Sequence, residues 1–455
     1  MDTIRKNEIT EGVIWKQLLL FFFPILIGSF FQQLYNTVDT IIVGKYVGKQ
    51  ALAGVGSTGT VINLWLGFFI GLAGGASVII SQFYGGRSRE DLSKAVHTSM
   101  ALALAGGAAL TAVGLGTARP SLELLDVPGE VMDEALTYIN VFYAGLIPCI
   151  IYNVGTAILR AIGDSKMPLY VLIACCGVNI VLDLLFVVAF CWDVFGVALA
   201  TVLAQTVSAV LVMLRLVRTR DAYRVSLPMI RFHADMLKKI VRLGLPAGMQ
   251  SVLYSISNLV IQAAVNSFGT DAVASWSAVS RIDGFVWMVM GAFGISVTTF
   301  AGQNFGAGQY GRVLRGTRVC LAMTLGTILA LSALEIAFAG PILHIFTGDD
   351  AVVAQGTAFI RVWAPAYGAY VFIEIFSGAA RGVGEALVPM VITIFGVCVL
   401  RLIWIWGVLP FHRTPSMVAA SYPVTWGITA AVFIVYYLRK NWLRRHISGG
   451  EKLAL

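Results

Sequence analysis

Four polar residues set in apolar stretches carry the chemistry this chain most readily offers: Asp39, Asn179, Asp183 and Thr201. Asn179 and Asp183 are four apart, which puts them on one face of one helix. Two carboxylates, an amide oxygen and a hydroxyl are oxygen ligands for a hard cation such as Na⁺. The same two carboxylates could equally share a proton. A set of satisfied buried polar groups holding no ion is the third reading. Further along lie Asp283, Glu335 and Glu374, mixed with Arg281, Arg361 and Arg401. The mixed signs predict structural ion pairing, and Asp283 and Arg401, expected at similar depth, could pair. Five acids against three arginines within the apolar stretches tilt the expected substrate toward a cation. No catalytic centre is expected: the five histidines lie at loops or stretch ends, and neither HExxH nor GxSxG occurs.

The elements that must position these groups are set by composition. The chain has 455 residues, 58% hydrophobic and 12% charged, with a mean hydropathy of +0.82. A soluble domain carries roughly 25% charged residues, so these charges cannot cover a water-facing surface of this size. The solvent is a bilayer, and a helix needs about 20 apolar residues to span it. Twelve such stretches fall near 16–44, 52–82, 95–118, 131–159, 167–191, 195–217, 239–267, 272–302, 316–340, 352–380, 387–410 and 417–438. The first is too long for the apolar core of a cleaved signal. A basic linker, 218–238, separates an N-terminal lobe (1–217) from a C-terminal lobe with a basic tail (239–455). The net charge of +8 sits in short clusters between spans, with no basic face for nucleic acid. With the N-terminus in the cytoplasm, 25 of the 32 Lys and Arg face that side, and only Lys45, Lys49, Arg119 and Arg413 face outside. The positive-inside rule then predicts a multi-pass cell-membrane protein with both termini cytoplasmic. The six cysteines, without CxxC spacing, read as small buried hydrophobes.

The chain also repeats. Arg160-Ala-Ile-Gly-Asp-Ser-Lys-Met-Pro168 matches Arg381-Gly-Val-Gly-Glu-Ala-Leu-Val-Pro389 at an offset of 221. The same offset aligns Gln82-Phe-Tyr-Gly85 with Gln303-Asn-Phe-Gly306 and Gly48 with Gly269, while 222 aligns Pro24 with Pro246. Six spans per repeat send both halves into the membrane the same way. The expected fold is therefore all-α, twelve transmembrane helices in two six-helix lobes related by a pseudo-two-fold axis along the membrane normal, with a substrate path between them. Residues common to both halves serve the scaffold, and Pro24, a turn or two inside the first helix, is a kink or a hinge. Residues polar in one half only are not required by the scaffold. Asp39 aligns with Val260 or Ile261, Asn179 with Leu400, Asp183 with Trp404 and Thr201 with Tyr422. Intramembrane carboxylates are costly and by default functional. At 1.5 Å per residue, Asp39 and Asp183 lie about 35 and 26 Å from the cytoplasmic ends of their helices, both in the outer half.

With these residues in hand, the sequence resembles the multidrug and toxin extrusion (MATE) family, over about residues 10–440. The resemblance rests on Phe23-Pro24, Gln32-Gln-Leu-Tyr-Asn-Thr-Val-Asp39, Gln82-Phe-Tyr-Gly85, Leu159-Arg-Ala-Ile-Gly-Asp-Ser-Lys-Met-Pro168 and Asn179-Ile-Val-Leu-Asp183. It implies export of organic cations and drugs in exchange for H⁺ or Na⁺, with no other cofactor and as a monomer. It also implies a cation site in the N-terminal lobe at Asp39, Asn179, Asp183 and Thr201, as in DinF-like prokaryotic members. Tyr254 stands roughly where NorM-type members have an acid, and Glu374 lies near their second acidic position. Tyr35, Asn36, Asn153, Thr156, Glu374 and Asp283 are the expected cavity residues, facing amphipathic or cationic small molecules. The rival within the superfamily, a lipid-linked precursor flippase, would be expected to have a strongly basic cavity. A major-facilitator transporter would need a different loop where Gly85-Gly-Arg-Ser-Arg89 stands.

Overall fold

The computed structural model describes residues 9–439 and 441–446. The structure is helical, with no strand among the described residues. The N-terminal half comprises α1 (Ile14–Ile42), α2 (Lys49–Gly85), α3 (Arg89–Leu124), α4 (Gly129–Ala144), α5 (Leu146–Ala161), α6 (Lys166–Asp183) and α7 (Asp193–Arg218). The C-terminal half comprises α8 (Ala234–Asn266), α9 (Thr270–Gly306), α10 (Tyr310–His344), α11 (Asp350–Trp363), α12 (Tyr367–Gly382), α13 (Leu387–Thr393), α14 (Leu400–Gly407) and α15 (Pro415–Leu438), followed by a single turn, α16 (Asn441–Arg444). The α4–α5 and α11–α12 pairs are broken spans, and α13 and α14 are joined by a π-helical stretch over Ile394–Val399. Each half therefore has six spans, twelve in all. Ten pass as membrane-crossing by length and apolarity, and α4 with α5, bent by 54°, make an eleventh. The twelfth, α8, is not among them despite its 33 residues. Lys238, Lys239 and Arg242 charge its start, and Gln250, Ser251, Ser255, Asn258 and Gln262 dilute the rest.

Matching local features recur in the two halves. Pro148 lacks an N–H and its ring opposes the carbonyl four residues back, at Ala144, where α4 stops. Pro365 interrupts the equivalent span at a 3₁₀ turn, Ala364–Ala366. Gly163 and Gly384 have φ of +92° and +101°, which side-chain-bearing residues rarely adopt. The acid that follows caps the next helix in each half: Met167 N–H donates to Asp164 Oδ1 (3.0 Å), and Val388 N–H to Glu385 Oε1 (3.5 Å). Five cysteines are buried as expected, whereas Cys191 is exposed.

Contacts divide the chain into Leu20–Gly248 and a second unit of Met1–Leu19 with Met249–Leu455. The boundaries thus fall inside α1 and α8, not in the 218–238 linker. Local bonds explain both displacements. The linker is tied to α3: Ser226 N–H donates to His97 Nε2 (3.0 Å), and His233 N–H to Thr98 Oγ1 (3.3 Å). The start of α8 crosses α2 glycine on glycine, where a Cβ on Gly75 would lie 2.6 Å from Gly244 Cα and one on Gly248 would lie 2.8 Å from Phe68 O. Small residues let membrane helices approach this closely. In the other unit, Arg312 at the start of α10 donates to the carbonyls of Gly12 (2.9 Å), Glu11 (2.9 Å) and Ile9 (3.3 Å), holding the foot of α1. The 218–238 linker is described and structured; the expected placement of the two termini falls outside the described residues.

Candidate functional site

In the Leu20–Gly248 unit, α1, α6 and α7 deliver the four predicted residues to one place. The Asp39 side chain lies close to Asp183, Asn179 and Thr201. Asn179 and Asp183 sit on consecutive turns at the end of α6 and are 1% and 0% exposed. Thr201 is buried on α7, and its hydroxyl donates to Val197 O (3.1 Å), which leaves its oxygen lone pairs available. Yet Asp39 Oδ1, both oxygens of Asp183 and both amide atoms of Asn179 are buried without a hydrogen-bond partner. Two ionised carboxylates are both acceptors and cannot satisfy each other, and the Asn179 amide donor is also unpaired. Buried polar atoms are almost always paired, so this concentration of orphaned oxygens fits a cation, or a proton between the acids.

The backbone changes pitch on the far side of this cluster. A π-helical turn, Val43–Val47, begins four residues after Asp39, and a second, Leu184–Ala189, begins immediately after Asp183. Such turns are frequent at functional sites. Val43 and Val187 of these turns pack together with Val194 and Val197, with Val38, Val47, Val55 and Tyr138 against them, so an apolar plug lies next to the carboxylates. Tyr138 on α4, beside Thr201 and close to both carboxylates, was not among the predicted residues. A signal for it existed: at an offset of 221 it aligns with Phe359, so its hydroxyl occurs in one half only.

The other predicted residues are dispersed. Tyr35 is buried one turn before Asp39, near Cys149, Tyr152 and Cys175. Asn36 is exposed on α1. Asn153 on α5 donates back to Cys149 O (2.8 Å), and the buried Thr156 hydroxyl has no hydrogen-bond partner among the described residues. Pro24 lies inside an unbroken α1. In the other unit Asp283 does not pair with Arg401, against expectation. Asp283 accepts hydrogen bonds from Tyr367 and from Trp287 Nε1 (2.8 Å for the latter), while Arg401 lies 4.1 Å from the ring centroid of Tyr422. Similar depth was compatible with pairing, but the two residues use different neighbours. Glu374 pairs with Arg381 at 3.6 Å, so here an expected cavity acid meets an expected scaffold cation. Around them Trp276, Trp287, Trp363, Tyr370, Tyr422 and Trp426 form one continuous aromatic cluster.

Comparison with known proteins matches this chain to a family. The MatE family profile matches residues 24–185 and again 246–406. The chain is 27% identical to the probable multidrug resistance protein YoeA of Bacillus subtilis (strain 168), over 98% of this chain and 99% of that one. It is 23% identical to the multidrug export protein MepA of Staphylococcus aureus (strain MRSA252), over 94% and 95% of the two chains. The fold superposes with a TM-score of 0.90 on a MOP superfamily transporter from Pyrococcus furiosus, 24% identical, covering 98% of this chain and 100% of that one. The two matched segments start 222 residues apart and end 221 apart, the offsets of the internal repeat, and cover most of the chain; the chain belongs to the MatE family of multidrug and toxin extrusion transporters.

Proposed function

We propose that this membrane transporter works as a secondary active antiporter, expelling organic cations in exchange for H⁺ or Na⁺. Asp39, Asn179, Asp183 and Thr201 take up the coupling ion. The observation that supports the reading most is the group of orphaned buried oxygens on Asp39 and Asp183. Two carboxylates about 4 Å apart repel by about 4 kcal/mol at an effective dielectric of about 20. One bound cation or proton removes that repulsion, a difference large enough to select between two arrangements of α1. Pro24 is the hinge at which α1 bends, between its foot, held by Arg312, and Asp39. Coupling requires that ion and substrate each change the other's affinity, and a charge crossing the full membrane field contributes about 2.3 kcal/mol per 100 mV. The excess of acids in the spans, with the aromatic cluster around Asp283, supports a cationic aromatic or amphipathic substrate. Both termini face the cytoplasm of the cell membrane, and the monomer is the working unit.

The test is efflux of a fluorescent organic cation from vesicles, with a Na⁺ gradient and a pH gradient imposed separately. Acceleration by one gradient identifies the ion. Efflux indifferent to both overturns the antiport reading.

A further inference from the structure

Outside this site, one cavity of about 590 Å³ lies where α3 and α8 begin, lined by Asp91, Lys94, His233, Lys238, Lys239 and Arg242 among others. Four cations, Lys94, Lys238, Lys239 and Arg242, and two carboxylates, Asp91 and Asp235, line it, an excess of two positive charges. Lys94 pairs with Glu90 at 2.6 Å, and Asp91 accepts a hydrogen bond from Ser88 Oγ at 2.9 Å. Lys238, Lys239 and Arg242 are exposed and form no ion pair among the described residues; Lys239 rests over the Phe83 ring, 5.3 Å from its centroid. Lys238 and Arg242 are four apart on one helix, where like charges repel. An anion between them reverses the sign of that interaction.

The repeat indicates that the scaffold does not require these cations. At an offset of 222, Lys238, Lys239 and Arg242 align with Lys16, Gln17 and Leu20, so the other half keeps one cation of three. There, Arg312 fills the corresponding junction by bonding the chain's own carbonyls at Ile9, Glu11 and Gly12. Arg312 itself aligns with Asp91. In the half that has the cavity, no such arginine bridges the gap among the described residues. Along α8, Lys238 and Arg242 continue one helical stripe into Leu245, which is 44% exposed. A charged end leading into exposed apolar surface matches a ligand with an anionic head and a hydrocarbon body. Basic pockets at the ends of transmembrane helices suit phosphate headgroups.

We propose that this cavity binds a phosphate group, with an anionic phospholipid headgroup as its source, held by Lys238, Lys239 and Arg242. The full-length transporter, purified in detergent, is loaded with phosphatidylglycerol or phosphatidylcholine and the retained lipid counted by native mass spectrometry. Phosphatidylglycerol should be retained at least tenfold better than phosphatidylcholine. The triple variant K238Q/K239Q/R242Q should lose that preference, whereas R119Q, near the opposite end of α3, should keep it. Size-exclusion behaviour and melting temperature check that the triple variant is folded. Inorganic phosphate at millimolar concentration should not displace the lipid; phosphate that binds to the wild type but not to the triple variant, with no preference for phosphatidylglycerol, overturns the lipid source and leaves an anion site. Equal retention of phosphatidylglycerol by the wild type and the folded triple variant overturns the proposal.

Discussion

Replacing Asp183 with Asn tests the coupling site most directly, because it keeps shape and removes one charge. Asp183 is fully buried and both its oxygens lack partners. The introduced amide would place a donor beside Asp39, converting an acceptor–acceptor contact into a hydrogen bond worth about 1.5–3 kcal/mol to a charged group. The variant also loses the like-charge repulsion of about 4 kcal/mol that two ionised acids would suffer at that range. Both effects favour the fold of the variant when no coupling ion is present. Wild type should therefore be the less stable protein in Na⁺-free buffer at high pH, and should gain on adding Na⁺ or protons. A ligand that binds only the folded state at about 100 times its dissociation constant adds about 2.7 kcal/mol. Melting curves in detergent, with Na⁺ titrated at several pH values, read this out. Wild type should shift by several degrees with its coupling ion, and D183N should stay flat and transport nothing against a gradient. If D183N responds to Na⁺ and pH as wild type does, or drives efflux normally, the carboxylate pair is not the coupling site. If it is less stable than wild type under every condition, the carboxylate was serving the packing of α6.

Four further outcomes are expected. Pro24→Ala should leave insertion and melting temperature unchanged or higher, since it removes a helix-interior proline, while slowing efflux at least tenfold; full transport would make the proline a static kink. Arg312→Ala removes the donor to three carbonyls and should speed hydrogen exchange over residues 9–17 by about tenfold or more, the equivalent of at least about 1.4 kcal/mol; Arg312→Lys should restore only part of the protection. Gly75→Ala forces a Cβ to within 2.6 Å of Gly244 Cα and should cost about 1–3 kcal/mol, the range for overpacking, seen as a lowered melting temperature. At the linker, burial, with Arg231, Lys94 and His97 adding, lowers the proton affinity of His233 from its ordinary value of 6.5. Its neutral form is therefore favoured in the folded protein: the docking contribution is complete above about pH 6.5 and is lost as pH falls below that. Hydrogen exchange at the residue 233 amide, corrected for the intrinsic pH dependence, should accelerate in that window and should not in His233→Gln.

The spans were legible because each is a long apolar run, and only a bilayer accommodates twelve of them. Even α8 was read as an apolar stretch, 239–267, although its polar residues lower its hydropathy, and the repeat pairs it with α1. The cluster of Asp39, Asn179, Asp183 and Thr201 was legible for a different reason. Hydropathy says only that Asp39 and Asp183 are expensive; their absence from the second half says that the scaffold does not require them. Where only depth was available, prediction failed. Asp283 and Arg401 were placed at similar heights, but height leaves the direction of a side chain around its helix undetermined, and Tyr367, Trp287 and Tyr422 are what surround them. The π-turns at Val43–Val47 and Leu184–Ala189 had no composition signal, since valine-rich stretches continue an α-helix unless tertiary packing inserts a residue.

The half-to-half comparison reaches further than the site it first revealed. Applied to Tyr138, which aligns with Phe359 in the repeat, it identifies a hydroxyl beside both carboxylates that depth and hydropathy passed over. Applied to Arg312 and Asp91, it separates a junction closed by the chain's own carbonyls from one left open and lined with lysines. In each case the shared residues fix where two helices meet, as Gly163 and Gly384 fix the same turn with the same positive φ. The differing residues then decide what each meeting point can bind. A duplicated transporter therefore contains its own control: a polar group whose counterpart is apolar has to be explained by something other than the fold. By that criterion Asp39, Tyr138, Asn179, Asp183 and Thr201 form one unit, and a variant of Tyr138 that keeps its ring, Tyr138→Phe, isolates the hydroxyl's share. It restores the residue of the other half, so packing should be unchanged, and any loss of ion-dependent stabilisation belongs to the hydroxyl alone.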